Sequence, residues 1–553
     1  MDAVSTISSD LYKTLSDNVR AHALDATAAI AAFWVLTKLA RAARRRFMTT
    51  RLRGPPSPSL LYGVGKDVLE SPDAGSMHEA WAAEYGVVYE IPSSLGQRKI
   101  VLCDPKAIAH CYARDTWTYV VTPLTRQFVE RGFGRGLIWA QGESHKRQRK
   151  SLTPAFSNSA IRKLAHVFYD SAYKAKGAWD EIIQSNGTDS AVIEVQNWCA
   201  DRSISPLDSI GIAGFSHDFG SLDGKHASVT EAFDTLGSSS ASAVNAFLLL
   251  LAQAFPILAR IPTSRSKLTH KLTESMAEIS TVLLNRTRKE REVGVSEDKE
   301  EKSIIGLLIK AESEGSELRL SSEEIMAQMK VLMLAGYETT SVSLTWALIE
   351  LAQNPDIQTK LRDELLAFGA DPSYDQLSNS LPYLDAVVHE CLRVHPPVTE
   401  FTRMAAEDDV IPLSEPVRTK SGQIVDNITV ARDTLITINF SCINRSAAIW
   451  GTDAKVFRPE RWLNEEGIPK KVQEVQGHRH LLTFADGPRT CLGKGFALAE
   501  FKTVLTVLVK HFVFELRDGP QTKIELGRGM MVRPKVAGEE GTRLPLRVRR
   551  FEG

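Results

Sequence analysis

The sequence predicts a mainly α-helical fold with small β-sheets (α+β), and three observations lead there. Helical patterning dominates from residue 155 to about residue 353, with few strand signals. The body opens with β-rich, turn-punctuated segments, VVYEIPSS from Val87 and RKIVLCD from Arg98, which Gly96 parts into a hairpin. Residues 481–500, LLTFADGPRTCLGKGFALAE, present one thiol, Cys491, in a Gly-rich loop. The loop turns into a helix with Phe496, Leu498, Phe501, Val504, Leu505 and Leu508 at helical spacing.

The 553 residues carry 67 basic and 67 acidic side chains, so no global charge argues for a nucleic-acid partner. Six cysteines (Cys103, Cys111, Cys199, Cys391, Cys442, Cys491) form no CxxC pair. They are poor material for a disulfide framework or a zinc site and fit a reducing compartment. Residues 26–36, ATAAIAAFWVL, are apolar, whereas a bilayer span needs roughly 20 residues. Extension to Ala40, with Lys38 snorkelling, brings a tilted helix close to that length. Arg41, Arg44, Arg45 and Arg46 follow, as on a cytoplasmic flank, and GPPSPS from Gly54 reads as a stiff hinge. The expected organisation is a membrane anchor and basic stop segment over residues 1–53 and one catalytic domain over residues 54–553. A mitochondrial presequence is the rival, and Asp2, Asp10, Asp17 and Asp25 count against it.

Residues 115–136 break into Thr, Arg and Gly with scattered aromatics, as a functional loop does. In GESHKRQRKSLTPAFS, from Gly142, a helix places His145 and Arg149 four apart on one face, able to hold carboxylates; a solvated basic helix is the plain alternative. Residues 244–261, VNAFLLLLAQAFPILARI, are either a buried core helix or a lid dipping into a bilayer. Residues 290–302, EREVGVSEDKEEK, hold too little apolar surface to fold alone and read as an exposed loop. Ser321 and Glu324 form a capping box for a long apolar helix that contains AGYETTS, residues 335–341. Glu338 is costly to bury there without partners. Hydroxyls bonding back to the helix would explain a kink but not the carboxylate, whereas an acid beside an alcohol suits proton transfer. Glu390 and Arg393, three apart in HECLRVHPP, can pair on a helix, which alone is a weak signal.

A thiol beneath backbone N–H groups and near a helix N-terminus is biased toward the thiolate; a half-buried structural cysteine is the plain alternative. The full string FxxGxRxCxG is present as Phe484, Gly487, Arg489, Cys491 and Gly493, and it closely resembles the haem-binding signature of the cytochrome P450 family. Glu390 and Arg393 resemble the family's ExxR. FRPERW supplies Phe457, Pro459, Glu460, Arg461 and Trp462 in the manner of its later FxPERF-like segment. The resemblance implies a structural triad of Glu390, Arg393 and Arg461 beneath the haem, with Trp462 for Phe an exchange that changes little. It implies that His145, Arg149, Arg403 and Arg489 hold the haem propionates. It also implies that Glu338 and Thr339 are the catalytic pair that delivers protons to bound dioxygen, a pair often missing from relatives that rearrange peroxides. The resemblance covers residue 54 to the C-terminus.

In activity, the resemblance implies a fungal, microsomal-type haem-thiolate monooxygenase. It implies haem b (iron protoporphyrin IX) between the long central helix and the Cys491 loop, with the thiolate ligand expected to push electron density toward O–O cleavage. The sequence holds no Rossmann fingerprint or flavin domain, so electrons are expected from NADPH-cytochrome P450 reductase, with cytochrome b5 as a second donor. A basic patch of Lys146, Arg147, Lys150, Lys470, Lys471, His478, Arg479 and Lys494 is expected to dock that partner. By family analogy Phe128, Phe133, Ala335, Phe401 and Met530 line an apolar pocket for a lipophilic substrate, a terpenoid of secondary metabolism. Fatty-acid or aromatic hydroxylation is the alternative. A haem-thiolate isomerase or dehydratase, and a haem sensor or electron carrier, are the rivals from other classes. The implied location is the endoplasmic reticulum membrane surface, with the catalytic domain on the cytoplasmic side.

Overall fold

At the centre of the molecule lies the helix Ser322–Gln353, 32 residues long. In this computed structural model, residues 25–199, 248, 251, 252, 258, 261, 263–292, 304–312, 318–527, 531–539 and 541–552 are described, except residues 31 and 72. The expected capping box starts the central helix: Ser321 Oγ accepts the Glu324 N–H at 3.2 Å, and Glu324 Oε2 accepts the Ser321 N–H at 2.9 Å. Within residues 340–352 every side chain but that of Trp346 is buried, so this half of the helix is enclosed on all sides. Pro355 then bars its continuation. Helices Ser264–Glu292, Pro355–Phe368, Pro382–Val394 and Lys494–His511 pack around it.

Among the described residues the strands are β1 (Val88–Pro92), β2 (Arg98–Leu102), β3 (Tyr119–Val121), β4 (Ser190–Glu194), β5 (Glu400–Ala405), β6 (Asp409–Arg418), β7 (Ile424–Val430), β8 (Leu435–Asn439), β9 (Phe512–Leu516), β10 (Ile524–Gly527), β11 (Arg533–Val536) and β12 (Pro545–Arg550). The hairpin expected around Gly96 is β1–β2, and it opens a five-stranded sheet ordered β1-β2-β8-β5-β3. The pairs β6–β7 and β10–β11 and the sheet β4-β12-β9 complete the strands. Small sheets set among long helices give the mainly helical α+β fold that the sequence predicts. Two apolar clusters hold it: a large one between the sheets and the central helix, and a smaller one around Phe168, Met276, Met329, Tyr337 and Phe496.

Near the N-terminus, Asp25–Met48 is one helix long and apolar enough to cross a membrane by length and composition. It leaves Ile30, Phe33, Leu36 and Leu39 exposed. The last turn of this helix and the residues after it correct one expectation, because the chain before the prolines is not free to pivot. Arg44 pairs with Asp408 at 2.5 Å and Arg45 donates to the Asp433 carbonyl at 3.1 Å. Thr50 N–H bonds the Thr429 carbonyl at 2.9 Å, and the Arg53 carbonyl accepts the Glu90 N–H at 2.9 Å. Backbone and guanidinium bonds thus stitch residues 44–53 to the body ahead of GPPSPS. Asp2, Asp10 and Asp17, most of residues 244–261, the charge run beyond residue 292 and Met530 lie outside the described residues.

Candidate functional site

The loop before helix Lys494–His511 holds Cys491 by its backbone. The Cys491 N–H donates to the Phe484 carbonyl at 2.8 Å, and Gly487 turns the chain with φ 65°. A Cβ at Gly487 would come within 2.4 Å of the Tyr112 carbonyl oxygen, so only glycine fits. At Gly493 the nearest atom to such a Cβ is a Phe156 ring carbon at 3.9 Å. No protein neighbour demands glycine there, and the open face suits a flat group lying against the loop. Cys491 is the one exposed cysteine of the six. Although accessible, it is crowded by protein, and this raises its thiol above the ordinary value. The Gly493 N–H, Arg149 and Lys494 pull the other way without prevailing. The protein around the loop thus pushes the thiol up, against the thiolate bias that its N–H groups suggest in the sequence.

Beside the thiol, helix Gly142–Leu152 carries His145 and Arg149, β5 carries Arg403, and the loop carries Arg489. These are the four groups expected to act together, and the fold brings them together. Burial first, then Arg489, Arg149 and Arg403, lowers His145 from 6.5 to about 3, so it is neutral. Burial likewise lowers Arg489 to about 10, aided by Arg403 and Arg149 and opposed by Asp115. Asp115, which no sequence pattern singles out, stands at 3.1 Å from Arg403 and 3.4 Å from Arg489. Arg489 also donates to the Ala140 carbonyl at 2.5 Å. Of the three guanidinium groups, those of Arg403 and Arg489 thus share one carboxylate, and Arg149 has no salt bridge among the described residues. The Tyr112 hydroxyl beside them is buried without a hydrogen-bond partner. Uncompensated buried cations are costly, and a ligand bearing two carboxylates would balance them. An iron porphyrin, with two propionates for the arginines and a metal that binds sulfur, would fit this set of donors.

On the central helix, Ala335 is exposed and Thr339 half-buried on the same face, whereas Glu338 is 2% exposed. Glu338 is turned into the protein rather than onto the exposed face of the helix. Glu338 Oε1 accepts the Arg533 Nε–H at 3.1 Å, and Arg533 enters from β11. The Thr339 hydroxyl donates back to the Ala335 carbonyl at 2.8 Å, and Ser341, Ser343 and Thr345 bond back along the helix in the same way.

Glu390 and Arg393, on helix Pro382–Val394, are fully buried and joined by two bonds of 2.8 Å. Arg393 spends its remaining donors on the carbonyls of Asn444, Ala454 and Val456. Glu390 also accepts the Arg458 N–H at 2.9 Å and lies 3.5 Å from Arg461. Trp462 corrects the view that its exchange for Phe changes little. Its indole N–H donates to Glu390 Oε2 at 2.9 Å, a bond that Phe lacks.

Of the expected pocket residues, Phe128 is 52% exposed and Phe133 is buried in the smaller apolar cluster. Phe401 packs edge-on to Phe440 and lines a small cavity with Tyr112, Asp115 and Arg403. The expected basic patch is largely spent within the chain: Arg147 pairs with Glu324, Lys471 with Glu415 and Arg479 with Asp385. His478 is lowered to about 3, by burial first and then His389, so it carries no charge. Lys150, Lys470 and Lys494 remain without a salt bridge among the described residues.

The family model described as Cytochrome P450 matches residues 54–538. Cytochrome P450 monooxygenase claP of Ampulloclitocybe clavipes is 56% identical over 96% of this chain and 98% of its own length. Cytochrome P450 monooxygenase 205 of Postia placenta is 35% identical over 90% of this chain and 92% of its own length. Ganoderic acid synthetase CYP5150L8 of Ganoderma lucidum is 33% identical over 85% of this chain and 88% of its own length.

Proposed function

The chain belongs to the cytochrome P450 family and is a monooxygenase, and on that premise we propose that it oxidises a lipophilic secondary metabolite of terpenoid type. The observation that carries the reading is the set of three arginines with one carboxylate among them beside the one exposed cysteine. Haem b is the cofactor we assign; Cys491 would bind it through sulfur, and Phe484, Gly493, His145, Arg149, Arg403 and Arg489 would form its protein bed. When bound, it supplies activation of dioxygen with two electrons, so that one oxygen enters the substrate and the other leaves as water. Arg149, Arg403 and Arg489 hold the carboxylates, and neutral His145 offers a hydrogen bond rather than another charge. Glu338 and Thr339 are the proton pair on the opposite side, and Glu390, Arg393 and Arg461 brace the backbone under the loop. Phe128, Phe133, Ala335, Phe401 and Met530 are the assigned pocket residues.

Residues 1–53 are assigned as the anchor and 54–553 as the catalytic domain, facing the cytoplasm from the endoplasmic reticulum membrane. The apolar helix Asp25–Met48 followed by arginines supports this. NADPH-cytochrome P450 reductase is the assigned electron donor, with cytochrome b5 in support. The fungal relatives, one of them named ganoderic acid synthetase, support a small lipophilic substrate. Co-expression with the reductase, feeding of terpenes, fatty acids and aromatics, and mass spectrometry of the products test the proposal. Gain of one oxygen by a terpene supports it. Oxidation of only the other two classes overturns the terpenoid assignment, and conversion without reductase overturns oxygen insertion.

A further inference from the structure

The turn that follows helix Pro105–Ala113 reaches each element that carries the cluster beside Cys491, and it does so through a strained residue. Thr116, which is β-branched, sits at φ 79°, in the left-handed region that such side chains avoid. Its N–H donates to Asp115 Oδ1 and to the Tyr119 carbonyl, both at 2.8 Å. Its own carbonyl accepts the Gly142 N–H at 3.1 Å, which ties the turn to the helix that carries His145 and Arg149. Asp115, 2% exposed, thus has one carboxylate oxygen fixed by the backbone. The same carboxylate faces two cations. Arg403 donates from Nε to Oδ1 at 3.1 Å and from Nη2 to Oδ2 at 3.3 Å, and Arg489 Nε stands 3.4 Å from Oδ1. Arg403 Nη1 donates to the Thr402 carbonyl at 3.3 Å, and Arg489 donates to the carbonyls of Leu137 and Ala140. Each guanidinium is therefore oriented by one carboxylate and by main-chain carbonyls. Strain at a β-branched residue persists only where the surroundings over-determine it, and here it sets a buried acid between two arginines.

We infer that Asp115 is a positioning residue for the haem: the turn at Thr116 fixes its carboxylate, and that carboxylate orients Arg403 and Arg489 for the propionates. This rests on the reading of the cluster as a haem bed. With His145 neutral, three guanidinium groups and one carboxylate leave two positive charges in excess, the number that two propionates would balance. Without the Asp115 charge the excess is three, and Arg403 and Arg489 repel each other with no anion between them. A bed that worked by charge alone would bind the porphyrin dianion more tightly once Asp115 was neutralised. A bed that works by orientation binds it less tightly. The two accounts differ in sign.

The test titrates the full-length apoprotein with iron protoporphyrin IX and reads the ferric–ferrous balance of the loaded protein at a fixed electrode potential. Asp115→Asn should weaken haem affinity by roughly tenfold, the size of one lost hydrogen bond to a charged group. In an Arg403→Met background, where the cation that Asp115 orients is gone, Asp115→Asn should change affinity by less than about threefold. Asp115→Asn should also move the balance toward the ferrous form by roughly threefold or more, because a buried anion beside the bed is lost. Asp115→Glu keeps the anion and displaces it by one methylene. It should leave the balance near wild type while affinity still falls by roughly threefold or more. Should Asp115→Asn fail to fold, Asp115→Glu decides alone. An Asp115→Asn affinity equal to or above wild type overturns the inference, as does an unmoved balance or an effect that is the same with and without Arg403. Wild-type affinity in Asp115→Glu overturns it too, since charge then suffices. A wild type that takes up no haem overturns the haem reading, and this inference with it.

Discussion

Two charged networks, one fully buried and one partly buried beside Cys491, differ in whether their charges are satisfied. In the network of Glu390, Arg393 and Arg461, the donors of Arg393 all find acceptors, and Glu390 is capped by Arg393, Arg458, Arg461 and Trp462. In the cluster of His145, Arg149, Arg403 and Arg489, the cations have only Asp115 within salt-bridge distance among the described residues, and the Tyr112 hydroxyl is unmatched. A fully paired network has nothing left to offer a ligand, so it braces the backbone. A network with surplus charge is unfavourable until a ligand arrives. Polar satisfaction thus separates scaffold from binding site, alongside the fuller burial of the scaffold network.

Breaking the satisfied network should have the largest effect. Arg393→Ala leaves Glu390 buried and unpaired, and urea unfolding of the apoprotein should show a loss of ~3–5 kcal/mol. A loss below about 1 kcal/mol would mean that the network is not structural. The cluster should respond in the opposite sense. Arg149→Met removes the cation that has no salt bridge among the described residues, so apoprotein stability should hold or rise. Haem retention should weaken by about 1.5–3 kcal/mol for each lost charge-assisted bond. Haem titration beside urea unfolding measures both, and parallel loss of the two would erase the distinction.

Acid should probe the cluster next. The folded value of His145, about 3, lies below the ordinary 6.5, so the unfolded chain takes the proton first. Its stability contribution is complete above about pH 6.5 and is lost as pH falls toward 3, reaching about 2 kcal/mol at pH 5. Apoprotein carrying His145→Gln should lose that part of the pH dependence, as unfolding at pH 7 and pH 5 will show. An unchanged slope would place His145 outside the charged cluster. The smallest effect sharpens the scaffold side: Trp462→Phe keeps the ring and removes the bond to Glu390, for about 1 kcal/mol. No loss would return Trp462 to simple packing.

Much of the site is legible in the sequence because it is local. The loop string around Cys491, the capping box at Ser321 and Glu324, and the spacing of His145 with Arg149 and of Glu390 with Arg393 each fall within one element. The hairpin around Gly96 and the long central helix follow from period and punctuation in the same way. Partners that meet only in the fold stay hidden. Asp115 reaches Arg403 across 288 positions, and Arg533 reaches Glu338 across 195. No periodicity encodes such pairs. A signal does exist for the second: an acid set in an apolar helix requires a cation, and arginines in the C-terminal strands are available to supply it. Trp462 marks the same blind spot, since sequence reveals an aromatic ring and not where its N–H points. The basic patch fails for a related reason, because formal charge in sequence does not reveal that Glu324, Glu415 and Asp385 already neutralise Arg147, Lys471 and Arg479.

The most direct test of haem-thiolate ligation at this site is the reduced carbon monoxide spectrum of the purified protein beside that of Cys491→Ala. The wild type should show the thiolate-type band. Cys491→Ala should lose that band, with some haem still held by Arg149, Arg403 and Arg489. A thiolate band that survives the substitution, or a wild type that binds no haem, would contradict Cys491 as the axial ligand.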